Sequence, residues 1–478
     1  MEANAAVPNR ILIECTDTVV AGINTGIQRV VRSLVREGVQ IGRERGQAIM
    51  SVVAGVSGFE EHVLGSEAEA GPPRALRYNV LYYAPKAYLR AAEWLCRGIK
   101  SRKIRALLLP KPGHLGMFRP AVRIIEMIQS ITGRGPGGTV AARNDLGLRA
   151  GDMLILPDGY WGRREIWEYV RAARAQGAFV AVIIPDLIPL THSSLVPSKF
   201  PARFRKYVLD AASNSDLILA YSQTIRDELR QKLPKLLPEL SVFPPVEAFC
   251  NGADFEDQDG GVRDELVPVF SPPGGRPTPY LSVSTFSPRK NHGFTLAAFE
   301  ILWSRGIDAR LMFVGGRGWL SDNLLRRIER HPECGKRLYM CHDLSDAELN
   351  YCYQRARGTV SASFVEGFNL PIVESLWQGR KTFASDTPIH REVGGNHAVY
   401  FSLSSPEYLA QAIARFESEL ASGAEVGQCR IKPMSWGEST ALLLERCCAA
   451  YSSTKPGNER HQVAARSASA PASARRAA

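Results

Sequence analysis

Apolar residues along this chain fall into two repeating patterns. "RILIE" (10–14) is an uninterrupted apolar run of strand length, and "TGIQRVVRSLVREGVQIG" (25–42) sets Ile27, Val30, Val31, Leu34 and Val35 on one face of a helix. "DMLILP" (152–157), "AFVAVIIP" (178–185) and "DLILAY" (216–221) are further continuous apolar runs, separated by helical periodicity at 163–176 and 200–213. Strands that are apolar on both faces and alternate with helices predict a parallel sheet covered on each side. Residues 247–278, rich in Gly, Pro and acids, interrupt the pattern and read as a linker.

The alternation resumes at residue 279. "YLSVSTF", "ARLMFVGG", "RLYMC", "GTVSAS", "KTFAS" and "AVYFS" are predicted strands. Helices are expected at 291–305, over "LSDNLLRRIER", and over "SDAELNYCYQRA", where Ser345 and Glu348 have capping-box spacing. The predicted division is a first α/β domain over 1–246, a linker over 247–278, a second α/β domain over 279–436, a closing helix over 437–451 and a disordered Ser/Ala/Arg-rich tail over 452–478. Two doubly wound domains of this kind face one another across a cleft, and ligands enter at the carboxyl ends of the strands.

Composition narrows the class. The chain of 478 residues is 45% hydrophobic and 22% charged, enough for two cores. Nine cysteines without a CxxC pair fit reduced thiols and oppose a disulfide framework or a zinc site. "MEANAAVPNR" lacks the apolar core of a signal peptide, and no apolar run reaches the ~20 residues that span a bilayer, so a soluble or peripheral protein is expected. The net charge of +11 is uneven: residues 86–134 carry eleven Lys and Arg against Glu93 and Glu126, interleaved with Trp94, Leu95, Ile99 and Ile104. That mixture suits an anionic membrane surface. No zinc finger or RNP motif supports nucleic acid as a partner.

Three stretches of the second domain carry candidate chemistry. "STFSPRKNHGF" (284–294) leaves a strand and enters a helix, with Arg289 and Lys290 in the turn and Asn291 as N-cap. Cations beside free helix-start amides suit a diphosphate. In "FVGGRGW" (313–319), Gly315 and Gly316 allow close approach to the backbone. In "FVEGFNLPIVES" (364–375), Glu366 and Glu374 stand with seven residues between them across a loop-to-helix joint, and Pro371 marks the helix start. Carboxylates accept hydrogen bonds from hydroxyls, which sugars supply in pairs. One acid is therefore expected to hold a sugar ring and the other a ribose, with the amides of Gly367, Phe368, Asn369 and Leu370 facing phosphates between them. Asp257 and Asp259 form a literal D-x-D with no flanking strand to hold it, so no metal site is expected there.

These motifs, in this order, resemble those of glycosyltransferase family 4, retaining enzymes of the two-Rossmann GT-B fold, and most closely its bacterial mannosyl- and rhamnosyl-type members. The signature stands here as "EGFNLPIVE", preceded by "SPRKN" and Val314–Gly315 and followed by "ASDTPIHREVGG". The resemblance implies a catalytic set of Glu366, Lys290, Arg289 and His192. Arg289 and Lys290 would neutralise the leaving diphosphate, Glu366 would hold the donor sugar and His192 would reach it. The implied donor-binding set is Glu374, Gly367, Phe368, Asn369, Leu370, Gly315, Gly316 and Gly26, and Thr25 and Asp186 lie on the acceptor side. Asn369 departs from the usual glycine, and Asn is the least costly replacement where φ is positive.

The expected function is transfer of a mannose- or rhamnose-type hexose from a nucleotide diphosphate sugar, GDP-mannose ahead of others, to a lipid-linked or polysaccharide acceptor. No metal or other cofactor is expected, and the expected location is the inner face of the cytoplasmic membrane. A nucleotide-sugar epimerase of the same fold and a non-catalytic membrane-binding scaffold are the rival readings. Donor conversion without an acceptor would favour the first, and intact Glu366, Lys290 and Glu374 oppose the second.

Overall fold

The computed structural model describes residues 7–21, 25–55, 58–63, 146–163, 166–255, 261–423 and 432–454. The basic segment 86–134, the Asp257–Asp259 pair and the tail beyond Thr454 lie outside the described residues.

The first sheet has seven strands: β1 (Arg10–Glu14), β2 (Ala48–Ala54), β3 (Phe59–Glu61), β4 (Asp152–Leu156), β5 (Phe179–Ile183), β6 (Leu217–Ala220) and β7 (Val246–Ala248). Their order is β3-β2-β1-β4-β5-β6-β7. Every neighbouring pair is parallel except β2 with β3. The continuous apolar runs become β4, β5 and β6, which are buried along their whole lengths. Two apolar clusters fill the faces of this sheet. Among the helices are α1 (Thr16–Ala21), α2 (Gly26–Arg45), α3 (Ile166–Ala175), α4 (Ile188–Thr191), α5 (Phe200–Asn214) and α6 (Gln223–Leu236). Helix α2 buries Val30, Val31, Leu34 and Val35, the face its spacing predicts, while Ile27 stays partly buried.

The second sheet is parallel throughout: β8 (Tyr280–Val283), β9 (Leu311–Val314), β10 (Leu338–Cys341), β11 (Gly358–Ser361), β12 (Thr382–Ser385) and β13 (Ala398–Phe401), in the order β10-β9-β8-β11-β12-β13. All six predicted strands are present. A short helix α7 (Val267–Phe270) precedes them. Interleaved and following are α8 (His292–Ser304), α9 (Asp322–Glu329), α10 (Asp346–Arg355), α11 (Leu370–Trp377), α12 (Pro388–Gly394) and α13 (Pro406–Ala421). The capping box opens α10: the Glu348 amide donates to Ser345 Oγ at 3.1 Å, and the Ser345 amide donates to Glu348 Oε2 at 2.9 Å.

Two domain borders differ from the sequence reading. The segment 247–278 is not purely linker, because its first residues complete β7 on the edge of the first sheet. The last helix, α14 (Trp436–Ser453), is not a terminal appendage. It crosses back, and Trp436, Leu443, Leu444 and Cys447 join the core of the first sheet with Ile11, Met153 and Ile183.

Candidate active site

The loops that leave the carboxyl ends of β5, β8 and β11 meet one another. After β8 a single 3-10 turn, Pro288–Lys290, carries the basic pair. After β11 a loop carries Glu366. The Phe364 amide donates to the Arg289 carbonyl at 2.9 Å, which holds the two loops together. Arg289 Nη1 pairs with Glu366 Oε2, and Lys290 Nζ stands 2.5 Å from Glu366 Oε1. The Glu366 side chain is 5% exposed and that of Lys290 11%. The fold brings Arg289, Lys290 and Glu366 together in space.

Burial and charge oppose each other within this cluster. Burial acts to raise the Glu366 pKa, but the charges of Arg289 and Lys290 outweigh it and hold the carboxyl well below its usual range. Burial pushes the Lys290 ammonium down to about 8, against the pull of Glu366. Asp186, at the exit of β5, is pushed up to about 6 by burial, with Arg289 opposing. Its Oδ1 accepts the Ile188 amide at 2.9 Å, so it orders the turn into α4. Arg289 and Lys290 thus share the ionised Glu366, and the Asp186 carboxylate, ionised above about pH 6, adds a second negative charge beside them.

The loop between the two glutamates is wedged between domains. A Cβ on Gly367 would meet the Pro185 carbonyl at 2.4 Å, and the Gly367 carbonyl accepts Ser222 Oγ at 3.2 Å. Phe368 and Leu370 are buried in the core of the first domain, and Gly26 lies against Leu370. Asn369 has φ +79°, the left-handed conformation that makes Asn a tolerable substitute for Gly. Its side chain turns inward. Nδ2 donates to Ser361 Oγ at 2.6 Å and to His390 Nε2 at 2.7 Å. That direction follows if His390 Nδ1, 2.9 Å from the Ser385 carbonyl, carries the ring proton.

Other predicted residues have more local roles. Asn291 occupies the N-cap of α8 but with φ +54° and no side-chain cap bond. The Gly315 amide donates to Cys341 O at 3.0 Å, and a Cβ there would meet Ser284 O at 2.1 Å, so this glycine lets adjacent strand exits touch; Gly316 faces open space. Thr25 caps α2 by position, and its hydroxyl donates to Gln28 Oε1. His192 is exposed at the end of α4, its Nδ1 2.9 Å from Thr191 Oγ1, and the hydrogen bond stays within its own turn.

Three residues absent from the sequence reading complete the site. His292 is buried under the basic turn, stacked 4.4 Å from the Phe286 ring, and burial pushes it down to about 3, so it is neutral. Arg29 of α2 and Tyr353 of α10 both hold Glu374: Arg29 Nη1 lies 2.6 Å from Oε1, and the Tyr353 hydroxyl donates to Oε2 at 2.8 Å. Arg29 was visible in "TGIQRVV", but nothing in its spacing indicates a partner 345 residues away.

This arrangement offers buried cations and helix-start amides to a diphosphate, and carboxylates to hydroxyl groups. Comparison with known proteins agrees with that chemistry. Residues 270–426 match the family model described as glycosyl transferases group 1. Among curated proteins, the serotype-specific mannosyltransferase WbdA of Escherichia coli is 28% identical over 285 residues, covering 59% of this chain and 35% of that protein. The O-antigen chain mannosyltransferase B of Escherichia coli is 35% identical over 117 residues, covering 24% of this chain and 30% of that one. Each of these matches thus spans about a third of the relative's length. Among solved structures, sucrose-phosphate synthase from Thermosynechococcus elongatus superposes with a TM-score of 0.52 at 15% identity, covering 96% of this chain and 100% of that one, a likeness of fold. Its two α/β sheets are those of the GT-B fold, and over residues 270–426 the chain is similar to the group 1 glycosyltransferases.

Proposed function

We propose that this protein is a retaining hexosyltransferase that moves mannose, with GDP-mannose as the first candidate donor, onto a lipid-linked or polysaccharide acceptor in O-antigen-type glycan synthesis. The observation that carries the reading is the buried Arg289–Glu366–Lys290 cluster beside the start of α11, inside the matched domain. The similarity to a serotype-specific mannosyltransferase and to an O-antigen chain mannosyltransferase supports the choice of sugar and product.

In this reading Arg289 and Lys290 receive the leaving diphosphate. A Lys–phosphate contact at about 4 Å and an effective dielectric near 20 contributes roughly 4 kcal/mol before desolvation. Glu366 holds donor-sugar hydroxyls, and its negative charge faces the anomeric centre as positive charge develops there. Glu374 accepts from the ribose. Asp186 and Thr25 lie on the acceptor side. Because side chains and amides supply the positive field, no metal is required.

The test is transfer from GDP-mannose, UDP-glucose and dTDP-rhamnose to a lipid-linked acceptor, with the product anomer read by NMR and EDTA as one arm. Transfer of mannose with retained configuration, unaffected by EDTA and reduced at least tenfold in Lys290→Ala and Glu366→Ala, is the expected result. Turnover of the donor with no acceptor present would instead indicate an epimerase. Wild-type rates in both variants would remove the cleft assignment.

The reading also places the protein on the inner face of the cytoplasmic membrane. Among the described residues no helix is long and apolar enough to cross a membrane. Support for surface attachment comes from the sequence of 86–134, where each Lys or Arg near an anionic leaflet contributes about 1 kcal/mol, screened by salt. Co-sedimentation with anionic vesicles is expected at low salt and should weaken in Arg102→Ala/Lys103→Ala/Arg105→Ala. No pelleting at low salt would show a merely solvated segment.

A further inference from the structure

Four segments distant in the chain converge on one guanidinium. Arg29 leaves the first turn of α2 in the first domain, and its side chain is 15% exposed. Its Nη1 is 2.6 Å from Glu374 Oε1, on α11 of the second domain. Its Nε is 3.5 Å from Asp346 Oδ1 at the start of α10. Its guanidinium lies 5.2 Å from the ring centroid of Phe255, in the segment between the domains. The second oxygen of Glu374 accepts the Tyr353 hydroxyl at 2.8 Å, and the glutamate side chain is 2% exposed.

A carboxylate has about four acceptor positions. Arg29 and Tyr353 engage one on each oxygen. The carboxylate plane is thereby fixed from two sides, and one further lone pair on each oxygen keeps a set direction. Two acceptors side by side match the spacing of two hydroxyls on adjacent carbons, as in a ribose. An unclamped glutamate on a helix would have to be ordered by the ligand itself, at a cost in affinity. The clamp also crosses the cleft, so Glu374 takes this orientation when α2 lies against α11.

We infer that Arg29 is a positioning residue for the donor: from the first domain, it sets the Glu374 carboxylate for the two ribose hydroxyls of the nucleotide. This rests on the proposed reading in which Glu374 binds the ribose. It adds that recognition of the nucleotide belongs to both domains. Arg29 acts through Glu374 and is given no contact with the reacting atoms.

The test compares binding of GDP and 2′,3′-dideoxy-GDP to the full chain by calorimetry, in wild type, Glu374→Gln, Arg29→Gln and Arg29→Lys. Wild type should prefer the ribose form at least tenfold. Glu374→Gln should lose most of that preference. Arg29→Gln should bring it below threefold, and Arg29→Lys, which keeps the charge without the planar fork, should fall between the two. A loss of packing alone would weaken both nucleotides equally and leave their ratio unchanged. If Glu374→Gln keeps the full preference, the ribose assignment fails and the inference with it. If Glu374→Gln loses it while Arg29→Gln keeps it, the role of Arg29 is overturned and the ribose assignment stands. Should Arg29→Gln not fold, Arg29→Lys decides by the same ratio, and a wild-type value there overturns the inference.

Discussion

At Lys290 two effects of similar origin compete. Burial removes the water that stabilises the ammonium, while Glu366 at 2.5 Å restores part of that stabilisation. The balance leaves a pKa of about 8, so the residue loses its proton just above neutrality. If the ammonium is needed for the diphosphate, kcat/KM should fall as pH rises through about 8, since that parameter follows ionisations of the free enzyme. Glu366→Gln removes the group that holds the proton on and should move the limb to lower pH. A pH profile of kcat/KM for both proteins checks this; a common limb would show that another group titrates. Asn369 shows what one residue reveals in advance. Its tolerance of positive φ was legible, because only local sterics are involved. That its amide reaches Ser361 and His390 was not, because those partners are set by the packing of β11 and α12.

Elements follow the same division between local and distant causes. The continuous apolar runs of β4, β5 and β6 were legible because strands buried on both faces leave no polar positions. Strand β2 and the edge strand β3 were not, since both are only partly buried and their apolar pattern is diluted. The three-residue β7 was hidden inside a Gly- and Pro-rich segment for the same reason. Least legible was the carboxyl end of β1. Glu14 is fully buried there, accepting from the Thr16 amide at 3.0 Å and from the hydroxyls of Thr16 and Tyr160, beside Asp158 at the end of β4. Burial, followed by the charge of Asp158, pushes its pKa up to about 8, against 4.5 for a free glutamate. Between those values the folded chain binds a proton that the unfolded chain has lost, so stability falls as pH rises from about 4.5 to about 8. Glu14→Gln keeps the shape and has nothing to ionise. Its melting temperature should stay level between pH 6 and 8 relative to wild type, where that of the native protein declines. Parallel pH dependence in the two proteins would mean that Glu14 does not hold the proton.

On the scale of the whole molecule, the chain crosses between domains twice, and the crossings are bonded to each other. The Ala253 amide donates to Met434 O at 3.0 Å, and Ser439 Oγ donates to Cys250 O at 2.6 Å. Gly252 sits where they press together: a Cβ there would lie 2.4 Å from the Trp436 amide nitrogen and 2.5 Å from its Cα. Backbone on both sides leaves no flexible side chain to move away, so Gly252→Ala must part the crossings, at a cost of about 1–3 kcal/mol typical of overpacking. Trp436 anchors α14 in the core of the first sheet, and the same helix follows directly on the second domain. Parting the crossings therefore loosens both the seat of α14 and the contact of the two cores. Ser439→Ala, which removes one hydrogen bond but keeps the backbone fit, should cost only about 1 kcal/mol. Wild type and Ser439→Ala are expected to melt in a single calorimetric transition, because the wedge at 367–370 and the paired crossings couple the domains. Gly252→Ala should melt lower, and its transition should broaden toward two steps as the domains begin to unfold separately. A Gly252→Ala protein that melts in one transition at the wild-type temperature would show that the crossings do not couple the two domains.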